Sequence, residues 1–83
     1  MQLEPRHLEL MRALAGGLRL MSHRDVDGAK GYRLHPPTGP AEAVAWETVA
    51  DLQAAGLIDS NKKFPAATYW LTEAGHRRLA AEG

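Results

Sequence analysis

Four histidines, two serines, a pair of carboxylates and a pair of lysines are the side chains with chemistry to offer. His7, His23, His35 and His76 fall on four different predicted elements. No two stand at the i, i+4 spacing by which a helix presents two ligands to a metal, and there is no cysteine to join them. They read as partly exposed surface residues, with His23 and His35 able to meet across a hairpin; no metal or cofactor is expected. Ser22 and Ser60 lie outside any Gly-x-Ser-x-Gly elbow. Gly28-x-x-Gly31 sits inside a hairpin instead of between a strand and a helix, so it is no phosphate cradle. Glu47 and Asp51 are one helical turn apart, as general acid–base partners can be, but a chain of 83 residues has little room for a water-excluding pocket around them. A solvated helix face is the better reading, and a non-enzymatic binding module is expected.

The charges are neutral in sum and zoned along the chain. Ten basic and ten acidic side chains cancel, which counts against nonspecific coating of nucleic acid. Residues 18–41 carry Arg19, Arg24, Lys30 and Arg33 against Asp25 and Asp27. Residues 42–59 carry Glu42, Glu47, Asp51 and Asp59 with no Lys or Arg. Residues 60–83 carry Lys62, Lys63, Arg77 and Arg78 against Glu73 and Glu82. A ligand that reads charge would meet different elements depending on its sign.

The elements that must position these groups are marked by glycine, proline and periodicity. Pro5 suits a first helical turn, and Glu4 sits favourably at the positive end of the dipole. Leu8, Met11, Leu14 and Ala15 recur at helical spacing, with Leu10 and Leu18 beside them, before Gly16-Gly17 ends the helix. Leu18 to His23 and Tyr32 to His35 alternate around Asp25-Val26-Asp27-Gly28, the pattern of a β-hairpin. Pro36 to Pro40 is a stiff connector. A second helix is expected from about residue 41 to 55, burying Ala45, Val49 and Leu52, with Trp46 on its border and Gly56 closing it. Leu57-Ile58 and Thr68 to Leu71 then frame a second hairpin around a polar loop. Thr72 is a plausible N-cap for a last helix that buries Leu79. Trp46 and Trp70 are expected to fill the core, and Phe64, beside Pro65 in the polar loop, to be exposed. The result is one α+β domain over residues 1–83, in the order helix–hairpin–helix–hairpin–helix.

Val49-x-x-Leu52, Gly56-Leu57-Ile58 and Tyr69-Trp70-Leu71-Thr72-Glu73-Ala74-Gly75 come in the order and at the distances found in the second half of winged-helix domains, which this stretch resembles. The resemblance implies a winged-helix-like fold and DNA contact through the second hairpin, the wing, with Lys62 and Lys63 at its tip. The first half departs from that pattern, since residues 18–35 read as a hairpin where those domains place a helix of the helix-turn-helix. Gly16, Gly17, Asp25, Gly28, Val49, Leu52, Leu57, Ile58 and Tyr69 also make the chain similar to a small bacterial toxin family that inhibits DNA topoisomerase I. Most of these are fold-building positions, and fold does not fix function.

Two functional expectations follow. The first is a regulator that contacts DNA through Lys62, Lys63, Arg77, Arg78, Arg19 and Arg33. The second helix is a poor major-groove reader, because it carries carboxylates and no Lys or Arg. The alternative is therefore a protein-binding inhibitor, of toxin or phage type, in which Glu47, Asp51 and Phe64 engage a basic partner. Eighty-three residues bury only roughly 60% of the unfolded surface, so the core is thin. The absence of cysteine and of a basic-then-apolar start points to the cytoplasm, and no run approaches the ~20 apolar residues of a membrane span.

Overall fold

The computed structural model describes residues 2–24, 26–63 and 66–82. In chain order they form α1 (Pro5–Ala15), β1 (Arg19–Arg24), β2 (Lys30–His35), β3 (Glu42–Val44), α2 (Trp46–Ala54), β4 (Ile58–Ser60), β5 (Ala66–Leu71) and α3 (Glu73–Glu82). The strands make one antiparallel sheet in the order β3-β2-β1-β5-β4. Successive residues of a strand point to opposite faces, and burial follows that alternation. Leu20 and Ser22 of β1, Ile58 and Ser60 of β4, and Ala67, Tyr69 and Leu71 of β5 are buried on one face. Leu10 and Met11 of α1 and Val49 and Leu52 of α2 close over that face. No strand residue of the opposite parity is buried. The helices therefore cover one face and leave the other open. No helix among the described residues is long and apolar enough to cross a membrane.

Both glycine signals stop their helices in the same way. Gly17 has φ +98 and Gly56 φ +74, the left-handed conformation that glycine takes without penalty. Leu18 N–H then reaches Ala13 O at 3.1 Å, and Leu57 N–H reaches Leu52 O at 3.0 Å, satisfying carbonyls the helix leaves open. Thr72 ties the second of these stops to α3. Its hydroxyl donates to Gly56 O at 2.7 Å and accepts Gly75 N–H at 3.0 Å, while its own N–H bonds Leu57 O at 3.0 Å. This packing explains Gly75 as well. A Cβ there would run into the Leu57 carbonyl and lie 2.9 Å from Leu71 Cδ2.

Three expectations need correction. Residues 41–45 are not the start of the second helix: Glu42–Val44 pairs with β2, setting Val44 beside Tyr32 and Glu42 beside Leu34. Helical propensity along Ala-Glu-Ala-Val-Ala gives way to the backbone partners that β2's outer edge needs. Ala45 becomes the exposed N-cap of α2, and Thr48 takes its expected place beside Val49 and Leu52. The buried stripe of α1 is likewise turned, to His7, Leu10 and Met11, leaving Ala15 exposed and Leu8 and Leu14 half-buried. Neither tryptophan fills the core. Trp46 is 62% exposed at the start of α2, and Trp70 is 45% exposed on the open face of the sheet.

Leu52 is fully buried at the centre of the core, so Leu52→Ala should cost about 2–5 kcal/mol in chemical denaturation. Gly75→Ala should cost about 1–3 kcal/mol, because a backbone carbonyl must move to admit one methyl group. A Gly75→Ala protein as stable as the parent would show that α3 does not pack this closely on Leu57.

Candidate functional site

The ends of two hairpins converge at one edge of the molecule. β1 and β5 are neighbours, with His23 paired to Ala66, so the β1–β2 turn and the β4–β5 loop project from the same end of the sheet. Between them, on the helical side, lies a cleft of about 350 Å³. Arg24 and Lys30 enter it from the first hairpin, and Lys62 and Lys63 from the second. Ser22, Ser60 and Tyr69 add hydroxyl-bearing side chains, and Gln53 of α2 adds an amide. No carboxylate lines the cleft among the described residues.

Arg24 and Lys30 stand directly opposite one another in the β1–β2 register. Like charges across a strand pair weaken a sheet, so local stability does not favour this arrangement. Each cation has its own local partner. The Arg24 guanidinium donates to Gly28 O at 3.0 Å, closing the turn, and Lys30 Nζ lies 5.4 Å from the centre of the Tyr32 ring. Tyr32 packs edge-on to Tyr69 at 5.8 Å. Burial, with a hydrogen bond to Tyr69, raises the Tyr32 hydroxyl above its ordinary pKa, against the opposing pull of Lys30.

The second cationic pair, Lys62 and Lys63, is also fixed by its loop. Lys62 has φ 56, a left-handed conformation that costs a non-glycine residue roughly 1–2 kcal/mol. The side chains of the two preceding residues stabilise it. Ser60 Oγ accepts Lys62 N–H at 3.3 Å, and Asn61 Oδ1 accepts the N–H groups of Lys63 and Thr68, each at 3.2 Å.

The remaining expected basic residues are placed elsewhere. Arg77 and Arg78 lie on α3, at the far end of β5 and about 20 Å from the tip by strand rise. Arg77 pairs with Glu73 at 2.9 Å and Arg78 with Glu82 at 3.3 Å, each one helical turn away. Arg19 and Arg33 are exposed on the open face of the sheet, opposite the cleft. Arg24 and Lys30, which join Lys62 and Lys63, were not singled out from the sequence. Only the β1–β5 pairing brings them together, although Asp-x-x-Gly marked the turn between them. Phe64 lies outside the described residues.

The acidic helix is tied to α1. Asp51 Oδ2 accepts from Arg6 Nη2 at 3.1 Å and from His7 Nε2 at 2.9 Å, while Arg6 Nη1 donates to Thr48 Oγ1 at 2.8 Å. Glu47 remains exposed. His7 corrects the expectation of four surface histidines, since it is only 2% exposed. Its Nδ1 accepts Glu4 N–H at 2.9 Å, so the proton sits on Nε2 and both ring nitrogens are satisfied. Glu4 and His7 stand three apart, as in a capping box, which was the available sequence signal. His23 and His35 do meet, with ring centres 6.2 Å apart. No group of three or more His, Asp or Glu among the described residues is arranged to hold a metal.

Comparison with protein families, with curated proteins and with solved structures gives no match.

The hydrogen bond from His7, reinforced by Arg6, holds the Asp51 carboxyl below its ordinary pKa, against a smaller opposing effect of desolvation. A depressed carboxyl stabilises the fold above its unfolded pKa and loses that contribution as pH falls through the folded value. Asp51→Asn should therefore melt below the parent at neutral pH, and the gap should close below about pH 4. A gap independent of pH in thermal melts would show that the Asp51 charge does not join the two helices.

Proposed function

We propose that this protein is a small non-enzymatic nucleic-acid-binding module that grips the phosphate backbone between its two hairpin tips. The observation that carries this reading is the cross-strand Arg24–Lys30 pair facing Lys62 and Lys63 in one cleft that no carboxylate lines among the described residues. Lysine and arginine release counterions when they meet phosphates, and hydroxyl and amide groups add hydrogen bonds that position the backbone without reading sequence. The left-handed Lys62 fits the same role, since backbone strain is tolerated where a side chain must be aimed. The succession α2, β4, β5, α3 supports a winged-helix-like relationship, with the β4–β5 hairpin as the wing. Arg77 and Arg78, paired on α3, are left out of the binding surface.

Trp46 favours a second role. It is 62% exposed beside Glu47, on a helix that carries no Lys or Arg. An exposed tryptophan flanked by a carboxylate suits a basic protein surface, as in an inhibitor of the topoisomerase-toxin kind. Asp51, engaged by Arg6 and His7, would support that surface less than Glu47.

Anisotropy titrations with a labelled duplex at several salt concentrations test the first role. Replacing Lys62 and Lys63 by Ala should weaken binding to all sequences alike and reduce the slope of log affinity against log salt by up to about two. Lys62→Gly is the sharper variant. Glycine relieves the left-handed backbone, so the protein should be at least as stable as the parent while binding more weakly. Duplex affinity unchanged by both sets of substitutions would overturn the cleft as the phosphate site. Glu47→Lys should leave duplex binding intact or strengthen it. Its weakening of a protein complex, with the lysine variants silent, would favour the Trp46 surface.

A further inference from the structure

The sheet face turned away from the helices carries a different set of side chains from the cleft. β1 presents Arg19, Met21 and His23 there, β2 presents Arg33 and His35, and β5 presents Thr68 and Trp70. Trp70 is 45% exposed. His23 and His35 pack edge to face at 6.2 Å, and the Nε2 of each is buried without a hydrogen-bond partner. Register places Met21, opposite Arg33, between the two imidazoles along the strands. Two hollows flank this row. One, of about 450 Å³, lies beside Arg19, Met21, His35 and Pro36, and the other, of about 290 Å³, beside His23, Arg24 and Arg33.

We propose that this open face is a stacking platform for single-stranded nucleic acid. Unstacked bases offer π-faces, which pair with indole, imidazole and guanidinium planes, while the phosphates between them need cations at intervals. Arg19 and Arg33 supply those cations. Both are exposed and neither has an ion pair among the described residues. Asp59, paired with Trp70 at the edge of the sheet, is the carboxylate that the described strand residues place on this face, and its Oδ1 is already taken by Ser60 N–H at 2.8 Å. This charge pattern disfavours a second copy of the chain, because face-to-face stacking would bring the arginines of two protomers together. A duplex keeps its base faces stacked inside and cannot use the platform. Arg24 lines both the 290 Å³ hollow and the basic cleft, so a single strand leaving the platform reaches the cations at the hairpin tips. Apart from Arg24 the platform stands on residues other than those of the cleft, and each can fail alone.

The chain has two tryptophans, and Trp46→Phe leaves Trp70 as the sole indole reporter. Titrating that protein with a thymidine oligonucleotide should quench Trp70 emission, and the same oligonucleotide in duplex form should not. Trp70→Ala should weaken single-strand binding by at least about fivefold. In case that change disturbs the sheet, the Arg19→Ala, Arg33→Ala double variant should weaken single-strand binding while leaving duplex affinity at the cleft intact. Single-strand binding with unchanged Trp70 emission, or full affinity in the double-arginine variant, would overturn the platform and leave the cleft standing. A blue shift of Trp70 that grows with protein concentration in the absence of nucleic acid would also overturn it, by showing that a second copy covers the face. Lost duplex binding with Trp70 quenching retained would overturn the cleft alone.

Discussion

Every strand turns alternate residues to opposite faces, and the three helices are enough to bury only one of those faces. Leu20, Ala67, Tyr69 and Leu71 take the covered side beneath α1 and α2. The same alternation leaves Met21, His23, His35 and Trp70 on the other side, with Arg19 and Arg33 among them. One-sided coverage is thus a consequence of chain length as much as of pattern, because a short chain buries a modest share of its surface. It also decides where function can lie. The covered face is given over to packing until, towards the hairpin tips, Leu20 gives way to Ser22 and Arg24, and Ile58 to Ser60 and the lysines beyond it.

Charge is distributed by the same geometry. A chain with no net charge can still present a cationic site if its carboxylates are engaged or held elsewhere. Asp51 is taken up between Arg6 and His7, Glu73 by Arg77, and Glu82 by Arg78. These contacts consume basic groups of α1 and α3 and leave Arg24, Lys30, Lys62 and Lys63 facing the cleft. Exposed pairs of this kind add little stability. Their effect is to localise the field, which on the proposed reading would steer a phosphate backbone to one end of a neutral molecule.

Features set by neighbours in the chain were legible in the sequence, and features set by distant partners were not. Gly17 and Gly56 stop their helices because the backbone there needs positive φ, and Thr72 caps α3 through a bond three residues away. The first hairpin showed in the alternation on either side of Gly28. By contrast, His7 is buried because Asp51, 44 residues later, supplies its second partner. Residues 42–44 form a strand because β2 has a free edge beside them. Periodicity placed both tryptophans near apolar stripes, yet their exposure depends on which side of each element is covered. Lys62 and Lys63 were conspicuous as a pair, whereas Arg24 and Lys30 gained meaning only when β1 paired with β5.

The most direct measurement is a map of backbone amide shifts in the ¹⁵N-labelled protein as duplex DNA is added. A backbone grip between the hairpin tips predicts that the largest changes fall on Ser22, Arg24, Lys30, Lys62 and Lys63, with Gln53 and Tyr69 following, and that they fade as salt is raised. Trp46, Glu47, Arg77 and Arg78 should be undisturbed. Changes centred on Trp46–Asp51, or salt-insensitive changes away from the hairpin tips, would contradict it.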